Sequence, residues 1–131
     1  MKSSGTLVDT GAWIGFFRGI PAIRNLLAKL IVKDEIFTAG PILYELLQGI
    51  RSPEEKKQVK EALLSTNYLE MTSNDWEEAA SLTSTLRGKG ITLPMTDILI
   101  AHLGKTRNLE ILSFDPHFDQ IPDLMHRKVP T

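Results

Sequence analysis

Cysteine is absent from the 131 residues. That excludes disulfides, thiolate metal sites and a cysteine nucleophile. The histidines, His102, His117 and His126, lack the paired spacing of a zinc motif. An excess of one charge is missing too. Lys and Arg number 15 against 16 Asp and Glu, a net charge of −1, far from the basic surplus of a protein held to nucleic acid by bulk charge. No apolar run approaches the roughly 18 residues of a membrane span. Met1–Gly5 lacks the apolar stretch that opens a signal peptide, so a cytoplasmic protein without membrane attachment is expected. Gly88-Lys89-Gly90 is not a phosphate-binding loop, because the upstream glycine and the hydroxyl residue after the lysine are missing. Repeats, linkers and low-complexity segments are absent as well. What remains is ordinary, 42% hydrophobic and 24% charged, and suits a single domain over residues 1–131.

Thr6–Thr10 is a short apolar run leaving through Asp-Thr-Gly, which reads as a buried first strand and its exit turn. A short helical stretch with Trp13, Ile14, Phe16 and Phe17 follows. Pro21 opens a second helix whose Ile23, Leu26, Leu27, Leu30 and Ile31 share one face. Ile36–Thr38 is the second strand. Gly40-Pro41 starts the next helix, with Ile42, Leu43, Leu46, Leu47 and Ile50 as its stripe. Ser52-Pro53-Glu54-Glu55 is a capping box for a helix to about Leu64, with Glu54–Lys57 as its solvated face. Tyr68–Met71 is a third strand. Thr72 or Ser73 caps a long helix carrying Trp76, Ala79, Ala80, Thr83 and Leu86, and Gly88 and Gly90 end it. Leu93–Asp97 leads into a helix to about Arg107, buried through Ile98, Leu99, Ala101 and Leu103, with His102 as a packing or surface residue. Glu110–Phe114 is the fourth strand, and Arg127–Pro130 offers a short edge strand. This alternation predicts an α/β fold, a three-layer α/β/α sandwich around a mostly parallel sheet of four to five strands.

Ligands of such sheets bind outside the carboxyl ends of the strands. Four acids fall there: Asp9 and Asp115 at strand ends, Glu45 in the helix after the second strand, Asp97 in the first turn of the helix feeding the fourth. Each has an ordinary explanation. Asp9 makes an Asx turn, Glu45 is a solvated helix residue, Asp97 complements a helix dipole, Asp115 caps a helix. Glu45, however, lies among Leu43, Leu46 and Leu47, and four such coincidences in one crevice are a weaker account than one site. Clustered carboxylates suit a hard divalent cation, and such cations open to water hydrolyse phosphodiesters.

Leu7-Val8-Asp9-Thr10 with Trp13, then Pro41–Gly49, then Thr96–Ala101, then Ile111–Asp115 with Phe118, resemble in order the four motifs of the PIN domain, and most nearly the VapC toxins of toxin–antitoxin pairs. The resemblance covers nearly the whole chain. It implies an α/β/α metal-dependent ribonuclease, homodimeric and inhibited by a cognate antitoxin, with Asp9, Glu45, Asp97 and Asp115 as the acidic quartet and Thr10 and Ser113 as accompanying hydroxyls. The sequence departs from the family after the fourth motif. Many members carry a further acid there, whereas Pro116 and His117 intervene here and Asp119 is the nearest acid.

On this reading Mg²⁺ or Mn²⁺ is the cofactor and RNA the substrate. Asp9, Asp97 and Asp115 are the metal residues. Asp9 and Asp97 ligate directly, while Glu45 and Asp115 hold metal-bound waters or a second ion, one of them helping to orient the attacking water. Arg18, Arg87, Lys89 and His117 are candidates for RNA phosphate contacts. Trp13, Phe16 and Phe17 are core or dimer contacts rather than stacking platforms. The competing reading is a catalytically silent domain of the same fold that binds RNA or protein, which the complete acid set disfavours. An aspartyl-phosphate phosphohydrolase would want a second acid two positions after Asp9, where Gly11 stands. A receiver-like domain would want paired acids early in the chain and a lysine after a late strand, and neither is evident.

Overall fold

Leu7 and Val8 are fully buried because the strand they form lies in the middle of the sheet with helices over both faces. The structure is a computed structural model and describes residues 3–129. Its five strands are β1 (Thr6–Val8), β2 (Ile36–Ala39), β3 (Asn67–Leu69), β4 (Glu110–Ser113) and β5 (His126–Lys128). They run in the order β3-β2-β1-β4-β5, with every pairing parallel. The helices are α1 (Thr10–Phe17), α2 (Pro21–Val32), α3 (Gly40–Gln48), α4 (Pro53–Leu64), α5 (Ser73–Gly88) and α6 (Met95–Thr106). This is the expected α/β/α sandwich.

The strand order sets the place of the site. The chain moves outward from β1 through β2 to β3, then returns across the sheet to β4 on the other side of β1. Between β1 and β4 the connections diverge and leave a crevice at the carboxyl ends of the strands. Register fixes what meets there. Leu7 pairs with Ile111 and Val8 with Leu112, so Asp9 and Ser113 emerge side by side. The backbone continues that alignment, the Asp9 N–H donating to the Leu112 carbonyl at 3.0 Å.

Local chemistry accounts for the helix boundaries. Pro21, Pro41 and Pro53 each occupy a first turn, where a missing N–H is harmless. Ser52 Oγ accepts from the Glu55 N–H. Of the two candidate caps for α5, Thr72 is the one used, and Asp75 reciprocates its bond. Gly90, at a φ of +79° that disfavours a side chain, turns the chain out of α5. Gly104 lets α6 lie close against β4, since a Cβ there would come within 2.7 Å of Ile111 Cδ1.

Some expectations shift. The third strand begins at Asn67 and ends at Leu69, short of Met71. Trp76, expected on the inner face of α5, is 49% exposed, because only Asp75, Ala79 and Leu86 of that helix are buried. Ile14, Phe17 and Ile31 are likewise exposed, while Trp13 is core. The edge strand starts at His126 and ends at Lys128, and Pro130 lies outside the described residues. Among the described residues no helix is long and apolar enough to cross a membrane.

One polar cluster inside the helical layer joins α5 to α6. Asp75 is buried and receives the Thr72 N–H at 2.8 Å, the His102 Nε2 at 2.8 Å and the Arg107 Nη2 at 2.9 Å, with Arg107 Nη1 on its other oxygen. His102 is therefore a packed, hydrogen-bonded residue. The Arg107 guanidinium, then His102, hold the Asp75 carboxyl far below the usual carboxylate range. A depressed carboxyl contributes stability that is present above its unfolded pKa and lost as pH falls below it. Asp75→Ala is expected to destabilise the fold by roughly 2 kcal/mol at pH 7, because it removes a cap, orphans the buried His102 and takes the carboxylate partner from the partly buried Arg107. Denaturation against pH checks this: the gap between wild type and variant should narrow once pH falls below about 4.

Candidate active site

Asp9 follows β1 and caps α1, so its place is set by both a strand and a helix. Its Oδ1 accepts the Thr10 N–H at 2.8 Å, and its Oδ2 accepts the Ser113 hydroxyl at 2.7 Å. Ser113 ends β4, and its Oγ in turn accepts the Asp115 N–H at 2.9 Å. Asp115 caps the 3-10 turn Pro116–Gln120 through the His117 N–H, at 2.9 Å to Oδ1. The two strand ends are thus tied by one chain of hydrogen bonds that terminates on carboxylates. Glu45, from α3, is gripped by two hydroxyls: Thr10 Oγ1 donates to Oε1 at 2.8 Å and Thr96 Oγ1 to Oε2 at 3.4 Å. Asp97 projects from the first turn of α6 and is 8% exposed, as is Asp9.

The result is a crevice of about 370 Å³ lined by Asp9, Glu45, Asp97 and Asp115 together with Thr10, Gly11, Ser113 and Phe114. The structure therefore brings all four predicted acids and both predicted hydroxyls together. The ordinary roles hold for the capping acids but not for Glu45, which is half-buried and hydrogen-bonded rather than solvated. Asp9 and Asp115 do cap, and capping is part of how they are aimed.

The remaining candidates separate. Arg18 is exposed at the end of α1, and Lys89 is exposed beyond the end of α5. Arg87 lines a different groove, between α5 and α6. Among the described residues none of these three lines the acidic crevice. Asp119 turns to His126, 2.8 Å from its Nδ1, and also stays outside. His117 does come to the site: its Nδ1 lies 3.1 Å from Asp97 Oδ2 and 3.1 Å from Asp115 Oδ1. Thr96 is a participant that sequence reasoning passed over. Its only signal was a hydroxyl residue directly before Asp97.

Electrostatics follow from the crowding. Burial pushes the Asp9 carboxyl up, against the Ser113 and Thr10 hydrogen bonds that favour its charge, and Asp97 and Glu45 push it further up. Burial likewise raises Asp97, opposed by His117 and reinforced by Asp115 and Glu45. The donor set is mostly oxygen with one imidazole, and one atom each from Asp97, Asp115 and His117 lie within 4.8 Å of one another. That fits a divalent cation, which would relieve the repulsion among the acids.

A parallel sheet carrying clustered carboxylates at its switch point is an open α/β fold with a candidate acidic site where such sheets bind ligands. The family model for the PIN domain matches residues 6–124, and the chain belongs to that family. Solved structures share the fold. One is VapBC from Salmonella typhimurium bound to DNA, with a TM-score of 0.83 at 20% identity, covering 96% of this chain and 98% of that one. Another is VapBC2 from Rickettsia felis bound to a DNA fragment from its promoter, with a TM-score of 0.82 at 19% identity, covering 94% and 97%. VapBC-5 from Mycobacterium tuberculosis follows at 0.66 and 18%, covering 98% and 99%. No curated protein sequence matches the chain.

The raised carboxyls give a testable sign. A carboxyl whose folded pKa exceeds its unfolded value favours folding when protonated, and that contribution is lost as pH rises through the folded pKa. At pH 7 without metal, Asp97→Asn is therefore expected to raise the melting temperature by about 2–4 °C. Added Mg²⁺ or Mn²⁺ should raise the melting temperature of the wild type but not of the variant. A metal-free melt in which Asp97→Asn is the less stable protein would contradict the electrostatic account.

Proposed function

We propose that this chain is a metal-dependent endoribonuclease acting as the toxin of a type II toxin–antitoxin pair. The observation that carries the reading is the convergence of four acids from four separate segments of the chain on one crevice at the sheet's switch point. Membership of the PIN family supports it, as does the likeness in fold to proteins described as VapBC toxin–antitoxin complexes.

Asp9, Asp97 and Asp115 are the residues that would hold Mg²⁺ or Mn²⁺. Bound there, the ion would neutralise a phosphodiester and lower the pKa of water. The chain's own groups do the positioning. Ser113 and the Thr10 N–H fix both oxygens of Asp9, so that carboxylate cannot swing away from the crevice. Thr10 and Thr96 fix both oxygens of Glu45, which suits it to orient an attacking water. Phe114 supplies an apolar flank to the crevice.

The partners in this reading are RNA, a cognate antitoxin and a second copy of the chain, in the cytoplasm. A surface for a protein partner adjoins the crevice. Tyr44, Trp76 and Met95 are exposed by 66%, 49% and 68% around a groove of about 420 Å³. Thr96 belongs both to that groove and to the grip on Glu45. An apolar patch of this kind on a water-facing surface marks an interaction site.

Purified protein incubated with a structured RNA pool is expected to cut it with Mg²⁺ or Mn²⁺ and to stop with EDTA. Asp97→Ala should lower the rate by about a hundredfold or more, and Asp9→Asn should do the same while remaining folded. Folded protein that cuts nothing under either metal would transfer the weight to a silent RNA- or protein-binding domain.

A further inference from the structure

We propose that His117 Nδ1 is a metal ligand and biases this site towards a first-row transition ion, Mn²⁺ rather than Mg²⁺. The inference rests on the nuclease reading's cation in the acidic crevice and adds a nitrogen donor to it.

The geometry is specific. Two carboxylates from different segments, Asp97 of α6 and Asp115 after β4, converge on the same imidazole nitrogen, each at 3.1 Å. One N–H has a single direction and serves two such acceptors poorly, whereas a cation serves three donors at once. An octahedral ion with bonds of about 2.1 Å separates neighbouring ligands by about 3 Å. The two nitrogen–oxygen separations are of that length, and the three donor atoms lie within 4.8 Å of one another. The ring is aimed by the backbone. Asp115 Oδ1 takes the His117 N–H at 2.9 Å, and Pro116 fixes the residue between them in the 3-10 turn, so the side chain folds back over the acids. The His117 side chain is 44% exposed, which leaves an open approach for an ion.

The chemistry then discriminates. Mg²⁺ favours carboxylate and water oxygens and gains little from imidazole. Transition ions bind nitrogen better, increasingly so along the series that begins at Mn²⁺. The phosphate-contact role that the sequence suggested for His117 would place the ring beside the substrate. The structure instead turns Nδ1 towards the Asp97 and Asp115 carboxylates.

The test uses metal-free wild type, His117→Phe, His117→Asp and Asp97→Asn. Mn²⁺ binding is followed by electron paramagnetic resonance, Mg²⁺ by competition, and nitrogen ligation by the spin-echo modulation that ¹⁴N imparts to bound Mn²⁺. Wild type is expected to show that modulation. His117→Phe should lose it and bind Mn²⁺ about tenfold more weakly, with Mg²⁺ affinity changed by less than about threefold. His117→Asp should shift the preference towards Mg²⁺. Wild-type Mn²⁺ that is bound without nitrogen modulation, and is lost in Asp97→Asn, would overturn the role of His117 and leave the nuclease reading standing. No Mn²⁺ binding by wild type would overturn both. If His117→Phe does not fold, the wild-type modulation alone decides.

Discussion

Like charges do not gather unaided. Four carboxylates in one crevice repel one another, and burying Asp9 and Asp97 adds a desolvation penalty. The fold holds them because most of the restraint is applied to hydrogen-bonded oxygens rather than to the charge itself. Asp9 has both oxygens engaged, Glu45 has both engaged, and Asp115 is held by a backbone N–H. The Asp9–Ser113 bond at the centre depends on the parallel register of β1 with β4, which sets the two residues side by side. A slip of one residue would reverse the facing of every side chain in β4 and break the chain of bonds at its centre. The site is a consequence of sheet alignment before it is a consequence of any single acid.

The helical layer supplies the second half of that alignment. Asp97 sits at one end of α6 and the Asp75–His102–Arg107 cluster grips the other. Gly104 brings the same helix down onto Ile111 of β4. A helix fixed at its far end and along its length has little freedom to move its first turn, so Asp97 is positioned by contacts further along the same helix. The strongly depressed Asp75 and the raised Asp97 are opposite electrostatic situations on neighbouring helices. The first is a carboxylate given cations and donors. The second is a carboxylate that is buried and given other carboxylates, with one imidazole set against them. One stabilises the fold, and the other leaves an attraction for a cation that the protein does not itself satisfy.

Much of this was legible in the sequence because its signals are local. Proline and glycine punctuation marked several helix starts and stops, and short apolar runs such as Leu7-Val8, Ile36-Phe37 and Ile111-Leu112 marked the central strands. Asp9, Glu45, Asp97 and Asp115 each stand one or a few residues from a strand or helix boundary, and in a parallel sheet those boundaries converge. What stayed hidden is what depends on the path of side chains between segments. His117 read as an isolated histidine because the two acids that meet it come from different segments, one of them 20 residues away. The Thr96 contact to Glu45 spans 51 residues and leaves no periodic trace. Trp76 looked like core because its spacing suits a helix stripe, but α5 buries only a narrow face, and the indole falls beside it. Asp119 was the nearest acid in sequence, yet the 3-10 turn rotates it away from the crevice and onto His126.

The turn that removes Asp119 is the same turn that presents His117. In five residues a 3-10 segment advances by more than one turn, so positions two apart point in different directions. Pro116 restricts the start of the segment, and Asp115 caps it with the oxygen that lies beside Nδ1. Capping and ligation geometry are therefore one constraint here. A change that loosened the cap would move the carboxylate and the imidazole together. The identity of the residue after Pro116 then matters chemically rather than structurally. A carboxylate at that place would add charge to a crowded acidic site, whereas imidazole adds a donor without adding to the repulsion. In the proposed site that distinction would act on the choice of ion, and it leaves the sheet, the helices and the four acids as they are.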